Sequence, residues 1–152
     1  MLDSSVPVVR VRVTVALRHP DGRLCFVRHL KDGRRYWLLP GGGQDAFEPL
    51  EETARRELRE ELRITVSGLK FLGLRETMNR AAGRHIQFPI FEALNPDLST
   101  LGTGEDPRVE GVDFFTADEL TGRPIFPNMG EDIRKIARGE RIEPFRTLEW
   151  VP

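Results

Sequence analysis

The sequence is poor in the residues that staple, span or steer a chain. It holds a single cysteine, Cys25, which rules out an internal disulfide and a cysteine-based zinc site and fits a reducing compartment. No apolar run approaches the ~20 residues needed to cross a bilayer, so no membrane partner is expected. The N-terminal stretch MLDSSVPVVR lacks a basic segment followed by an apolar core, and the expected location is cytoplasmic. Net charge is missing as well. With 23 basic residues against 24 acidic ones the balance is −1, and no global field draws the chain to a nucleic-acid polymer or an anionic membrane. Any charge logic has to be local.

What is present belongs to a folded chain. A hydrophobic content of 39 % over 152 residues supplies one substantial core, read here as a single domain over residues 1–152. From Val8 to Leu17 valines alternate with Arg10, Arg12 and Thr14, the period-two pattern of a strand with one buried face. The turn residues His19 to Arg23 then lead to Leu24 to Leu30, read as the returning strand of a hairpin. A short strand, Tyr36 to Leu39, runs into Pro40 and three glycines. A helix is expected from Glu48 or Pro49 to near Leu62, since proline suits a first turn and acidic residues there complement the helix dipole. One or two strands follow from Ile64 to Thr77, and another from His85 to Leu94 across the turn-like NRAAG. The stretch from Asn95 to Arg108, rich in Pro, Gly, Ser and Asp, reads as a mobile loop. After it come a strand at VEGVDFFT, a short helix at ADEL, an amphipathic helix from Met129 to Gly139 and an irregular tail. This order predicts a mixed α/β (α+β) fold, a mixed sheet between helices.

The segment Leu38 to Ile64, LLPGGGQDAFEPLEETARRELREELRI, carries the chemistry. Helical spacing puts Leu50, Ala54, Leu58 and Leu62 on one apolar stripe. Glu60 and Glu61 lie about 60° and 40° around the axis on either side of Glu57, so three carboxylates share one face within a turn. Like charges so placed repel unless cations neutralise them, and an all-oxygen donor set favours a hard ion, Mg²⁺ or Mn²⁺, over zinc. Arg55, Arg56, Arg59 and Arg63 are rival cations, and alone the helix reads as a solvated charged face. The glycines tip that balance, because a glycine run between strand and helix lets backbone approach a metal–phosphate ligand closely.

This segment resembles the Nudix box, G-x5-E-x7-R-E-U-x-E-E-x-G-U, with U a bulky aliphatic residue. Laid from Gly42, the pattern is met by Glu48, Arg56, Glu57, Leu58, Glu60, Glu61 and Ile64, which makes eight of nine specified positions. The resemblance implies a mixed β-sheet between helices with the box as loop, helix and loop. It implies that Glu57, Glu60 and Glu61, with the backbone carbonyl of Gly41, bind catalytic Mg²⁺, with Mn²⁺ as the alternative. Glu48 and Arg56 would shape the loop, Arg56 by pairing with a box carboxylate. The implied reaction is hydrolysis of a nucleoside diphosphate linked to a further moiety, by water attack at phosphorus. The alternatives are a nucleotide-sugar pyrophosphatase and a nucleotide-sensing module that keeps the fold without catalysis. Homodimers are frequent in the family.

The chain departs from the pattern at two places. Arg63 stands where the box has its last glycine, expected to be a left-handed helix end. Phe47 replaces the glycine that many members carry before the first glutamate. Outside the box, Arg28, Arg34 and Arg35 are candidate phosphate contacts, and Tyr36 or Trp37 a candidate stacking surface for a base. Phe88 and Phe91 are expected on opposite faces of their strand, with at most one in a pocket. His19, His29 and His85 lack metal-ligand spacing, and Glu105 or Glu110 is a candidate extra carboxylate. The region after the box, MNRAAGR, carries neither the proline of the family's ADP-ribose hydrolases nor the tyrosine of its dinucleoside-polyphosphate hydrolases. The coenzyme A signature ahead of the box is also missing. That leaves nucleoside di- or triphosphates, oxidised ones included, ahead of nucleotide sugars.

Overall fold

The computed structural model describes residues 6–151. The N-terminal residues 1–5, on which part of the reading of a missing leader falls, and residue 152 lie outside the described residues. Among the described residues eight strands, two helices and a 3-10 turn follow one another: β1 (Val9–Ala16), β2 (Leu24–Lys31), β3 (Arg34–Leu38), β4 (Gly41–Gly43), α1 (Leu50–Leu62), β5 (Thr65–Asn79), β6 (Arg84–Asp97), β7 (Val109–Phe115), the 3-10 turn at Asp118–Leu120, α2 (Gly130–Ala137) and β8 (Phe145–Leu148).

The strands form two sheets. One is mixed, in the order β4-β1-β6-β5-β8, and the other is antiparallel, β3-β2-β7. In the mixed sheet β1 runs parallel to β6 and β8 parallel to β5, while β5 and β6 form a long hairpin closed between Asn79 and Arg84. The expected hairpin of β1 and β2 survives only at its root, where Cys25 donates to the Leu17 carbonyl at 2.8 Å. Beyond that point the two strands part into different sheets, because alternation shows that a strand has a buried face and not which strand it joins.

Each face of the sheets has its own core. Val13, Val15, Leu17, Phe91 and Ala93 pack with Ala54, Leu58 and Leu62 of α1, and Leu50 flanks them, as the helical stripe requires. Ala16, Leu24, Phe26, Leu39 and Ile90 pack with Ile133 and Ile136 of α2 on the other side. The sheets are therefore sandwiched between the helices as expected. Phe88 and Phe91 are both buried, Phe88 against Phe126 and Phe91 in the α1 core, so neither is free for a pocket.

Two further elements escaped sequence reading. The tail expected to be irregular contains β8, which adds to β5. The stretch expected to be a mobile loop is docked, since the amides of Gly102 and Gly104 donate to the carbonyls of Leu62 and Glu61 at 3.0 Å each. A Cβ on Gly104 would overlap the Glu60 carbonyl, so only glycine allows this approach to the end of α1. There Arg63 takes the left-handed conformation expected of it (φ 58°, ψ 35°), and the Arg63 and Ile64 amides close the helix on Arg59 and Leu58.

One buried ion pair fixes α2 to the mixed sheet. Arg75 on β5, fully buried, donates from Nε and Nη2 to both oxygens of Asp132 at 2.9 and 3.0 Å, and Arg146 of β8 adds a third contact at 3.2 Å. The Asp132 carboxyl lies below its usual range because these guanidiniums outweigh its burial. Replacing one partner strands the other charge, so Arg75→Met is expected to lower the unfolding free energy by about 3 kcal/mol in denaturant titration. The double variant Arg75→Met/Asp132→Leu should recover most of that loss.

Candidate active site

The site is assembled where β4 passes the second half of α1. Gly41 and Gly42 pair with Thr14 and Val13 across the antiparallel β4–β1 ladder. This places β4 so close to the helix that a Cβ on Gly42 would overlap the Glu57 carboxylate. The middle glycine thus makes room for an acid. α1 begins after Pro49 without a side-chain cap, with Glu51 and Glu52 in its first turn.

Arg56 clips the glycine loop to the helix. Its Nε and Nη2 donate to the two oxygens of Glu48 at 2.8 and 2.9 Å, and Nη2 also reaches the Gly43 carbonyl at 2.9 Å. Nη1 donates to Glu57 at 2.8 Å and to Glu60 at 3.3 Å. Thr53 Oγ1 adds a 2.6 Å donation to Glu48, whose carboxyl is held at about 2, first by Arg56 and then by Thr53. Of the four box arginines only Arg56 meets the box glutamates in this way; Arg55 turns away to the Val66 carbonyl at 2.7 Å.

The three clustered glutamates differ in environment. Glu60 keeps an exposed side chain. Glu57 is largely buried, and burial raises its carboxyl despite the Arg56 contact. Glu61 accepts the Gly41 amide at 3.1 Å, yet burial pushes it up to about 7, with Glu57 and Asp106 adding repulsion and Arg12 opposing it. Among the described residues no three His, Cys, Asp or Glu side chains converge as a closed metal cage. The donor chemistry nevertheless fits a hard divalent ion: Glu57 and Glu61 are partly buried and mutually repulsive, and a cation would restore their charged forms. The Gly41 carbonyl faces Arg12, whose Nη2 lies at 3.4 Å.

The other candidates are engaged mainly with partners outside the box. Arg28 pairs with Asp113 at 2.6 Å and Glu110 at 3.2 Å, and Arg35 pairs with the same Glu110 at 2.8 Å. Trp37 donates from its indole to Asp113 at 2.9 Å and is covered by Arg123 at 5.2 Å. Tyr36 packs edge-on against His29 and Phe126, and Arg34 is exposed. These groups form a network of their own on the smaller sheet, with no hydrogen bond or ion pair to the box. Of the two acids offered as an extra carboxylate, Glu110 is taken by arginines, whereas Glu105 is exposed in the segment docked on the end of α1. His29 is buried with Nδ1 3.3 Å from the Tyr36 hydroxyl and Nε2 unpartnered, while His19 and His85 pair with Asp21 and Glu76.

Sequence reading missed Arg12 and Asp106. Arg12 belongs to the alternating polar face of β1, which reads as solvent-facing, and only the β1–β4 register brings it to Gly41. Asp106 lies beside Glu105 in the docked segment and carries the loop charge that reaches Glu61. No local signal separates the two acids.

Comparison with known proteins bears on the family and the fold. The family model for the NUDIX domain matches residues 8–138. A MutT NUDIX hydrolase from Burkholderia pseudomallei superposes with a TM-score of 0.71 at 27 % identity, covering 88 % of this chain and 98 % of that one. A MutT protein from Bacillus halodurans superposes at 0.76 with 19 % identity, over 94 % and 91 % of the two chains, a likeness of fold. An RNA pyrophosphohydrolase from Caulobacter vibrioides is 44 % identical over 66 residues, which is 43 % of this chain and only 38 % of that protein.

The raised Glu61 carboxyl has a measurable consequence. Between its ordinary value of 4.5 and about 7 the folded chain binds more protons than the unfolded one, so this group's contribution to stability falls as pH rises through that window. Without divalent cations at pH 8, Glu61→Gln is expected to be more stable than the parent by about 2–3 kcal/mol. The difference should vanish below pH 4.5, where both side chains are neutral. Thermal unfolding across pH in a chelator checks this, and equal stability at pH 8 contradicts it.

Proposed function

The chain belongs to the Nudix family, and on that premise we propose that it is a divalent-cation-dependent pyrophosphohydrolase of nucleoside di- and triphosphates, oxidised ones included. The observation that carries this reading is the pair of partly buried, repelling carboxylates, Glu57 and Glu61, set against Gly42 and Gly41, with Arg56 on Glu57. Glu57, Glu60 and Glu61 would hold Mg²⁺ or Mn²⁺, with the Gly41 carbonyl as a further oxygen donor. When bound, the ion neutralises phosphate oxygens and lowers the pKa of a coordinated water.

The remaining roles fall to the chain itself. Glu61, with one oxygen fixed by the Gly41 amide, takes the proton of the attacking water as the water oxygen bonds to phosphorus. The anhydride bond breaks, and its electron pair leaves with the departing phosphate or nucleotide. Arg56 and Glu48 keep the loop and helix in register, and Arg12 offers a guanidinium to the substrate's phosphates across the Gly41 carbonyl. All of these residues come from one chain. We place the protein in the cytoplasm as one domain. In support, Cys25 is free and buried, and among the described residues no helix is long and apolar enough to cross a membrane.

The likeness to an RNA pyrophosphohydrolase favours a second reading, in which the triphosphate sits at the 5′ end of an RNA. A panel of nucleoside di- and triphosphates, nucleotide sugars and 5′-triphosphorylated RNA, incubated with Mg²⁺ and analysed for products, separates the readings. Turnover is expected to fall more than about a hundredfold in Glu57→Gln and Glu61→Gln, and no turnover of any member defeats the assignment. Gly42→Ala should lower kcat by about ten- to a hundredfold with the fold intact by circular dichroism, because the methyl displaces the Glu57 carboxylate.

A further inference from the structure

Phe47 breaks two rules at one position. Its φ of 64° lies in the left-handed region that side-chain-bearing residues rarely adopt, and its ring is fully exposed, at 106 % of the reference area. Neither feature serves the fold. The turn it occupies is held by the Glu48 amide on the Asp45 carbonyl at 3.2 Å, the Asp45 amide on Glu48 Oε1 at 3.3 Å and the Gln44 side chain on the Glu48 carbonyl at 2.7 Å. Glycine would meet every one of these requirements at less strain. Among the described residues the ring makes no aromatic or cation–π contact. Strain and exposed apolar surface that folding does not use mark a residue kept for binding.

Its position supplies the occupant. Phe47 immediately precedes Glu48, whose carboxylate is gripped by Arg56, and Arg56 also touches Asp45, Glu57 and Glu60. The loop that carries Phe47 therefore borders the box carboxylates through Arg56. Tyr36 and Trp37, the aromatics the sequence offers for stacking, are engaged with His29, Phe126, Asp113 and Arg123. Of the other exposed rings, Phe71 packs on Phe91, and Phe145 lies on the edge strand β8. We propose that Phe47 is the stacking platform for the nucleobase of the substrate, a deepening of the nucleotide reading above on which it rests. Because every base has a π-face, such a platform adds affinity for nucleotides without selecting one base.

The test reads binding rather than turnover. Calorimetry with Mg²⁺ uses the α,β-methylene analogues of ATP and GTP, with inorganic tripolyphosphate as the base-free probe. Phe47→Gly is expected to weaken both nucleotide analogues about tenfold, leave tripolyphosphate unchanged and keep or raise the thermal midpoint, while Phe47→Trp binds like the parent. Unchanged nucleotide affinity in Phe47→Gly overturns the proposal, as does an equal loss for both kinds of probe, which marks a structural role. A concentration-dependent dimer that disappears in Phe47→Gly with nucleotide binding intact assigns the ring to self-association and overturns it too. Phe47-dependent binding without turnover defeats the hydrolase reading alone, turnover with Phe47-independent binding defeats this proposal alone, and a parent that binds neither analogue defeats both.

Discussion

The guanidinium of Arg56 is the interaction on which the site rests. Five donors in a planar fork let one side chain hold Glu48 with two hydrogen bonds, cap the Gly43 carbonyl and touch Glu57 and Glu60. A lysine could neutralise the same charge but could not hold loop, strand and helix at fixed angles. The contacts also set the acids apart. Glu48 is satisfied by Arg56 and Thr53 and stays ionised, whereas Glu61 lies beyond the fork's reach and keeps an unmet demand for positive charge. Glu57 and Glu60 stand between these two, each touched by a single guanidinium nitrogen.

The fold supplies the rigidity this sorting needs. α1 is pressed on β1 and β6 by its apolar stripe, and its far end is sealed by Arg63 in the left-handed conformation and by the amides of Gly102 and Gly104. The segment that seals it also carries Asp106, so the charge beside Glu61 is anchored to the same helix as Glu61 itself. On the opposite face the Arg75–Asp132 pair ties α2 to β5 beside its apolar packing.

Much of this was legible in the sequence, and the pattern of what was not is physical. Periodicity located α1, its buried stripe and the faces of Phe88 and Phe91, because these depend only on the local repeat of a helix or strand. Joint spacing across Gly42 to Ile64 located the box, and the left-handed end at Arg63 followed from its place in that pattern. Partners were another matter. Nothing in Val9–Ala16 tells that β1 leaves β2 for β4 and β6, and Arg28 looks available until Glu110 and Asp113, more than eighty residues away, arrive across β7. Arg12 and Asp106 were missed for the same reason, since contacts distant in sequence leave no mark in local composition.

The strand β8 bears on where this fold ends. The match to the NUDIX domain stops at residue 138, yet Phe145–Leu148 adds to β5, Arg146 reaches Asp132, and Trp150 packs edge-on against Phe126. A version of the chain trimmed to the family boundary would lay bare the hydrogen-bonding edge of β5, a ready template for pairing between molecules. It would also deprive the buried aspartate of one of its two guanidiniums. The homologous segment and the physically self-sufficient one differ by more than ten residues, and solubility follows the second.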